Sequence, residues 1–131
     1  YFKAPEQIPN IRGDPRTLDQ VFTNLLSNAM DAMSVMGSKG GTLSVGVSVG
    51  EDADSHQEMA EVTVADNGPG IPEENKERIF EAFITTKPRG TGLGLAITRR
   101  IVVAHRGNIK VDSFPGGTVF RLKFPTIGEG E

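Results

Sequence analysis

Two hydrophobic periods follow one another in this chain, and together they leave few architectures open. Leu18, Val21, Phe22, Leu25, Leu26, Ala29 and Met33 recur at i, i+3, i+4 and i+7, the stripe of a helix with one buried face. Gly13-Asp14-Pro15 supplies the start, with Asp14 as N-cap and Pro15 at the first helical position. The spacing predicts a helix from Pro15 to about Met33. After a loop over Ser34–Gly41 the period drops to two. Thr42–Val49 alternates as a half-buried strand does, and Glu61–Ala65 reads as the next strand.

The remaining segments complete the pattern. Residues 6–12 predict a short strand interrupted by Pro9, and Gly50–Glu58 an acidic, solvated turn. Residues 67–72 are rich in glycine and proline and cannot prolong a strand. Pro72–Phe80 predicts a short helix, followed by a long irregular stretch over 81–94, a length usually found in functional or mobile loops. Leu95–Ala104 predicts a second helix, with Leu95, Ala96, Ile97, Ile101, Val102 and Val103 as apolar candidates and Arg106-Gly107 closing it through a cation and a C′ glycine. Ile109–Phe114 and Thr118–Phe124 are strands joined by Pro115-Gly116-Gly117. The implied class is α+β, a two-layer sandwich with helices on one face of a mostly antiparallel sheet. The 131 residues suffice for one domain with its own core.

Composition removes several chemistries. With no cysteine there is no disulfide, thiol nucleophile or thiolate metal site. Two histidines, His56 and His105, are too few for a histidine-rich metal site. A net charge of −3 gives no reason to expect nucleic acid or an anionic membrane as partner. No apolar run approaches the roughly 20 residues of a membrane span, and no signal peptide is visible, so a cytoplasmic location is expected. The start at Tyr1 leads to the expectation that the chain is a piece of a longer protein.

Three segments carry the chemistry. Asn24 and Asn28 lie four apart beside the apolar stripe of the first helix, with Asp31 a turn later. Carboxamides there could serve a cation or a phosphate, although the line taken alone reads as a solvated flank. Asp66-Asn67-Gly68-Pro69-Gly70 ends a strand. Its carboxylate can accept from an exocyclic amine, and its glycines let backbone approach a ligand, although the segment taken alone reads as a turn. Gly90-Thr91-Gly92-Leu93-Gly94-Leu95 opens the second helix, where backbone N–H groups form an anion cradle. It is neither the dinucleotide fingerprint nor a Walker A loop, since Leu95 and Ile97 stand where the first needs glycine and no Gly-Lys-Ser/Thr follows. Lys87 and Arg89 add cations before it. In this order the three segments read as a nucleotide pocket.

These segments resemble the ATP-binding catalytic domain of bacterial two-component sensor histidine kinases, within the Bergerat-fold superfamily of gyrase- and MutL-type ATPases. Asn24–Ala29 is similar to the N box, Asp66–Gly70 to the G1 box, Phe80-Glu81-Ala82-Phe83 to the F box, Gly90–Leu95 to the G2 box, and Gly116–Phe120 to the closing strand. The resemblance covers nearly the whole chain and implies a Bergerat fold over residues 1–131. It implies that Asn28 binds Mg²⁺ with Asn24 beside it, and that Asp66 holds the adenine amino group with Thr118 in the same network. Gly68 and Gly70 would admit the base. Lys87 would reach the terminal phosphate, and Gly92, Leu93, Gly94 and Leu95 would wrap the phosphates. Ile71, Phe83, Thr86, Gly90 and Thr91 complete the implied ATP-contacting set. Residues 71–92 would form an ATP lid anchored by Phe80 and Phe83.

Two departures sharpen the resemblance. The gyrase- and MutL-type relatives carry a water-activating glutamate where this chain has Asn24, and a carboxamide is a poor general base. The resemblance therefore implies transfer of the γ-phosphate to another nucleophile rather than rapid hydrolysis. Asp31 stands where many sensor kinases have lysine, which resembles the nitrogen-regulation type. The family's acceptor histidine lies on a separate helical dimerisation domain, with a response regulator downstream and a parent protein that can be anchored in the inner membrane. His56 is expected to be solvated and His105 to be a helix-terminal cation, neither of them the acceptor. An ATPase of the same fold, or a regulatory module that binds nucleotide without transferring it, are the alternatives.

Overall fold

The computed structural model describes residues 2–3, 10–34, 40–75, 79 and 94–127. Its elements are β1 (Phe2–Lys3), β2 (Asn10–Ile11), α1 (Pro15–Ser34), β3 (Leu43–Glu51), β4 (Glu58–Asp66), α2 (Gly94–Ala104), β5 (Asn108–Phe114) and β6 (Gly117–Ile127). The sheet runs β1-β3-β4-β6-β2, with β5 also paired to β6. Every pairing is antiparallel except the two-residue parallel contact of β1 with β3. The expected mixed, mostly antiparallel sheet under a helix layer is therefore present.

Register explains which face is buried. Val47, Val62, Leu122 and Ile109 stand opposite one another across four strands, and Val45, Val64, Phe120 and Val111 form the next row. This face meets α1 and α2. Val21 and Leu25 of α1 and Val102 of α2 are fully buried in one cluster with Val64, Phe120, Leu122 and Phe124. Each such side chain contributes roughly 1.5–3 kcal/mol by leaving water, so the helix layer is held by the sheet and not by helix propensity.

The α1 start is as expected. Asp14 caps it, its Oδ1 accepting the Arg16 N–H at 2.9 Å. Of the strand expected over residues 6–12, Asn10–Ile11 is strand and residues 6–9 lie outside the described residues. Of the helix expected over Pro72–Phe80, the described residues show a 3₁₀ turn at Glu73–Asn75, while residues 76–78 and 80 lie outside the described residues. Ile79 is buried in the core. Val103 is 58% exposed, because the inner face of α2 runs through Leu95, Thr98 and Val102. The left-handed residue after α2 is Arg106, with φ of 62°, not Gly107. The Arg106 N–H donates to the Val103 carbonyl and the Gly107 N–H to the Val102 carbonyl, at 2.9 and 3.0 Å, which is a Schellman closure. Gly107 has a different reason to be glycine: a Cβ there would run into the Lys123 carbonyl.

Candidate functional site

The apolar face of the sheet ends in a polar row. One step beyond Val64 and Phe120, Asp66 stands opposite Thr118, and Thr118 opposite Ser113, with Leu43 closing the row on the other side. Alternation puts these side chains on the helix-covered face. Thr118 is buried and Asp66 and Ser113 are half-buried. The Gly68 N–H donates to Asp66 Oδ1 at 2.9 Å. Burial pushes the Asp66 carboxyl above its ordinary range, and this outweighs the opposite pull of the Gly68 amide. A partly desolvated carboxylate with one amide donor retains acceptor capacity for an N–H from a ligand.

The backbone around Asp66 is packed as tightly as glycine allows. A Cβ on Gly68 would lie 3.0 Å from Asp66 Oδ1 and 3.1 Å from Ala32 of α1. Gly70 has φ of +87°, and a Cβ there would collide with the Phe114 carbonyl. The chain then passes to Ile71, whose N–H donates to Ser113 Oγ at 2.7 Å. The Asn67 carboxamide oxygen accepts the Thr42 N–H at 2.7 Å, so Asn67 ties the end of β4 to the approach to β3 and is committed to structure.

The first and third sequence segments also meet. Asn24 Nδ2 lies 3.4 Å from both the Gly94 carbonyl and Thr98 Oγ1. A Cβ on Gly94 would sit 4.0 Å from the Asn24 carboxamide carbon. Asn24 is thus held against the first turn of α2, where backbone N–H groups are oriented for an anion. Leu95 packs on the core. Asn28 is half-buried one turn further along α1, and its side chain makes no hydrogen bond to another described residue. Asp31 is exposed. Mg²⁺ commonly takes one or two protein oxygens and fills its shell with water and phosphate oxygens, so a single half-buried carboxamide one helical turn from Asn24 fits it.

Asn24, Asn28, Asp66, Gly68, Gly70, Ile71, Gly94, Leu95 and Thr118 are therefore placed along one end of the helix–sheet interface. Phe80, Phe83, Thr86, Lys87, Arg89, Gly90, Thr91, Gly92 and Leu93 lie outside the described residues. Sequence reasoning missed Ser113 and Thr98. A two-residue turn at Pro115-Gly116 sets Ser113 opposite Thr118, a register that a three-residue connection over Pro115-Gly116-Gly117 does not give. Thr98 is fully buried yet polar, so a search for apolar periodicity passes over it.

Both histidines are engaged elsewhere. His56 sits in an exposed turn with Nδ1 2.7 Å from Glu51 Oε1. His105 Nε2 accepts the Asp14 N–H at 3.0 Å while Nδ1 lies 2.8 Å from the Ile101 carbonyl. A carbonyl only accepts, so Nδ1 carries the proton and the ring is neutral, which corrects the expected helix-terminal cation. A groove of about 600 Å³ lined by Arg12, Gln57, His105, Arg106 and Thr126 lies at this other end of the helix pair, away from Asp66. Its lining holds no carboxylate and no counterpart of the acceptor row, so the chemistry points to the Asp66 end.

Residues 13–127 match the family described as histidine kinase-, DNA gyrase B-, and HSP90-like ATPase. The chain belongs to this ATPase family. Sporulation kinase A of Bacillus subtilis (strain 168) is 47% identical over 88% of the chain, which spans 18% of that protein. The sensory histidine kinase/phosphatase NtrB of Azospirillum brasilense is 39% identical over 95% of the chain, which spans 32% of it. The catalytic domain of histidine kinase ThkA, in a nucleotide-free form, superposes with a TM-score of 0.77 at 33% identity, covering 95% of this chain and 78% of that one. Full-length ShkA in complex with AMPPNP superposes with a TM-score of 0.73 at 32% identity, covering 97% of this chain and 26% of that one. The family fold is the Bergerat-type α+β sandwich expected from the boxes. The domain is a histidine kinase catalytic ATPase domain of the sensor-kinase kind. Among the described residues no helix is long and apolar enough to cross a membrane.

Proposed function

We propose that this domain binds Mg²⁺-ATP at the Asp66 end of the helix–sheet interface and donates the γ-phosphate to a histidine on a separate helical domain of the same kinase. The observation that carries the reading is the polar row itself: a half-buried, desolvated Asp66 carboxylate beside buried Thr118, reached through the Gly68–Gly70 backbone. Asp66 accepts the adenine amino hydrogens. Asn28 supplies a carboxamide oxygen to Mg²⁺, which when bound neutralises phosphate charge. The first turn of α2 and Lys87 take the phosphates, and residues 71–92 close over them as a lid.

Asn24 donates toward the α2 backbone and has no carboxylate with which to activate water. This favours transfer over hydrolysis and sets the domain apart from an ATPase of the same fold. His56 and His105, each tied to a neighbour, are not the acceptor. The acceptor, the dimer it builds, the downstream response regulator and any membrane anchor belong to the longer protein.

The test is transfer in trans. Mixed with its cognate helical domain and γ-labelled ATP, the chain is expected to label that domain's histidine and not itself. ATP binding without labelling would leave the regulatory reading, and rapid phosphate release by the chain alone would leave the ATPase reading.

A further inference from the structure

Ser113 is absent from the box residues, yet three hydrogen-bonding contacts converge on its hydroxyl. The Ile71 N–H donates to Ser113 Oγ at 2.7 Å, Thr118 Oγ1 lies at 2.9 Å, and the Gly117 carbonyl at 3.3 Å. A serine hydroxyl has one proton and two lone pairs. The amide takes one lone pair. The carbonyl cannot donate, so it is satisfied only by the Ser113 proton. The remaining lone pair must then receive the proton of Thr118. This is the one arrangement in which all three contacts are hydrogen bonds at once. It leaves Thr118 Oγ1 with lone pairs and no proton to offer.

Resting on the ATP reading above, we propose that Ser113 is a positioning and specificity-determining residue of the base pocket. It pins the exit of the Asp66–Ile71 loop, and it turns Thr118 into an acceptor. Asp66 and Thr118 face each other in register, so the floor of the pocket then offers acceptors only. A 6-amino purine brings N–H donors to that floor. A 6-oxo purine brings a further acceptor and is repelled. Without Ser113 the Thr118 proton is free to turn toward a 6-oxo group, and the Ile71 amide loses its partner.

The experiment compares the wild-type chain with Ser113→Ala and Ser113→Thr in two measurements. Hydrogen exchange of the Ile71 amide without nucleotide reads the loop alone. It is expected to rise about tenfold in Ser113→Ala, the share of one neutral hydrogen bond, and to be restored in Ser113→Thr. Calorimetric titration with ATP and with inosine triphosphate reads the floor. The preference for ATP is expected to fall about tenfold in Ser113→Ala and to return in Ser113→Thr. An unchanged Ile71 exchange, or an unchanged preference in a Ser113→Ala chain that binds ATP, overturns the proposal. Failure of the wild type to bind either nucleotide overturns the ATP reading and the specificity role with it, while the exchange arm still judges Ser113 as a loop anchor.

Discussion

The Gly68 N–H donates to Asp66 Oδ1 at 2.9 Å, closing a tight loop at the point where the Asp66 carboxyl is half-buried. Burial raises the folded-state pKa of this group from its ordinary 3.8, and the amide only partly opposes it. A raised carboxyl binds a proton more readily folded than unfolded. Its contribution to stability is fully present below the unfolded value and is lost as pH rises through the folded one. At neutral pH the ionised Asp66 therefore works against the fold. Asp66→Asn keeps an oxygen for the Gly68 amide and removes the buried charge. We expect a higher Tm than wild type at neutral pH, with the difference closing as pH falls below the ordinary carboxyl value. ATP affinity should fall about tenfold or more through loss of a charge-assisted bond. Thermal unfolding across pH and calorimetry check the two halves, and a variant both less stable at neutral pH and unimpaired in binding would contradict both.

Gly70 and Gly116 both have positive φ, at 87° and 102°, but only one is crowded. A Cβ on Gly116 meets nothing within 4 Å, so Gly116→Ala should cost only the left-handed penalty of about 1–2 kcal/mol. At Gly70 the same penalty is joined by collision with the Phe114 carbonyl, which must move. Gly70→Ala should therefore destabilise more than Gly116→Ala and also weaken ATP binding, since Phe114 and Ile71 are both attached to the polar row. Urea midpoints of the two variants, with equal slopes, test the order.

Asn28 is half-buried and its side chain makes no hydrogen bond to another described residue, so its removal leaves no described partner behind. Asn28→Ala is expected to stay within about 0.5 kcal/mol of wild-type stability while ATP binding loses its response to Mg²⁺. A variant whose ATP titration still shifts with Mg²⁺ would move the ion to other residues.

Much of this architecture is legible because burial and periodicity agree. The α1 stripe, the two strands β3 and β4 and the cap at Asp14 are local signals, and each recurs in the structure. Local signals fail where a distant neighbour decides. Ser113 gains its meaning only when β5 and β6 pair across a two-residue turn. Thr98 is buried because Asn24 reaches across from α1. Gly107 is glycine because the backbone of Lys123 claims the space a Cβ would fill, and the left-handed position falls to Arg106. The site was visible as three segments of suitable chemistry. Their meeting at one end of the sheet depends on register, which no single segment carries.

His105 gives the sharpest test of a local rule against a distant contact. Its position at the end of α2 suits a cation in the helix dipole, and a lysine there would serve equally well. The structure instead makes the ring a neutral bridge, accepting the Asp14 N–H through Nε2 and donating to the Ile101 carbonyl through Nδ1. Lysine has donors and no acceptor. If the bridge is what matters, His105→Lys and His105→Ala should both lose about 0.5–1.5 kcal/mol, because each exchanges the exposed Asp14 amide's partner at the start of α1 for water. If the dipole matters, the lysine variant should hold wild-type stability and only the alanine variant should fall. Gly13 reinforces the bridge, since a Cβ there would come within 2.6 Å of the His105 ring. Gly13→Ala should accordingly destabilise wild type more than the His105→Ala chain, in which only the Leu18 side chain, 2.7 Å from the added Cβ, still has to give way, a coupling that a double-mutant cycle in urea would read directly. Because α2 rises roughly 16 Å from Gly94 to its far end, ATP affinity should stay within about twofold of wild type in the histidine variants.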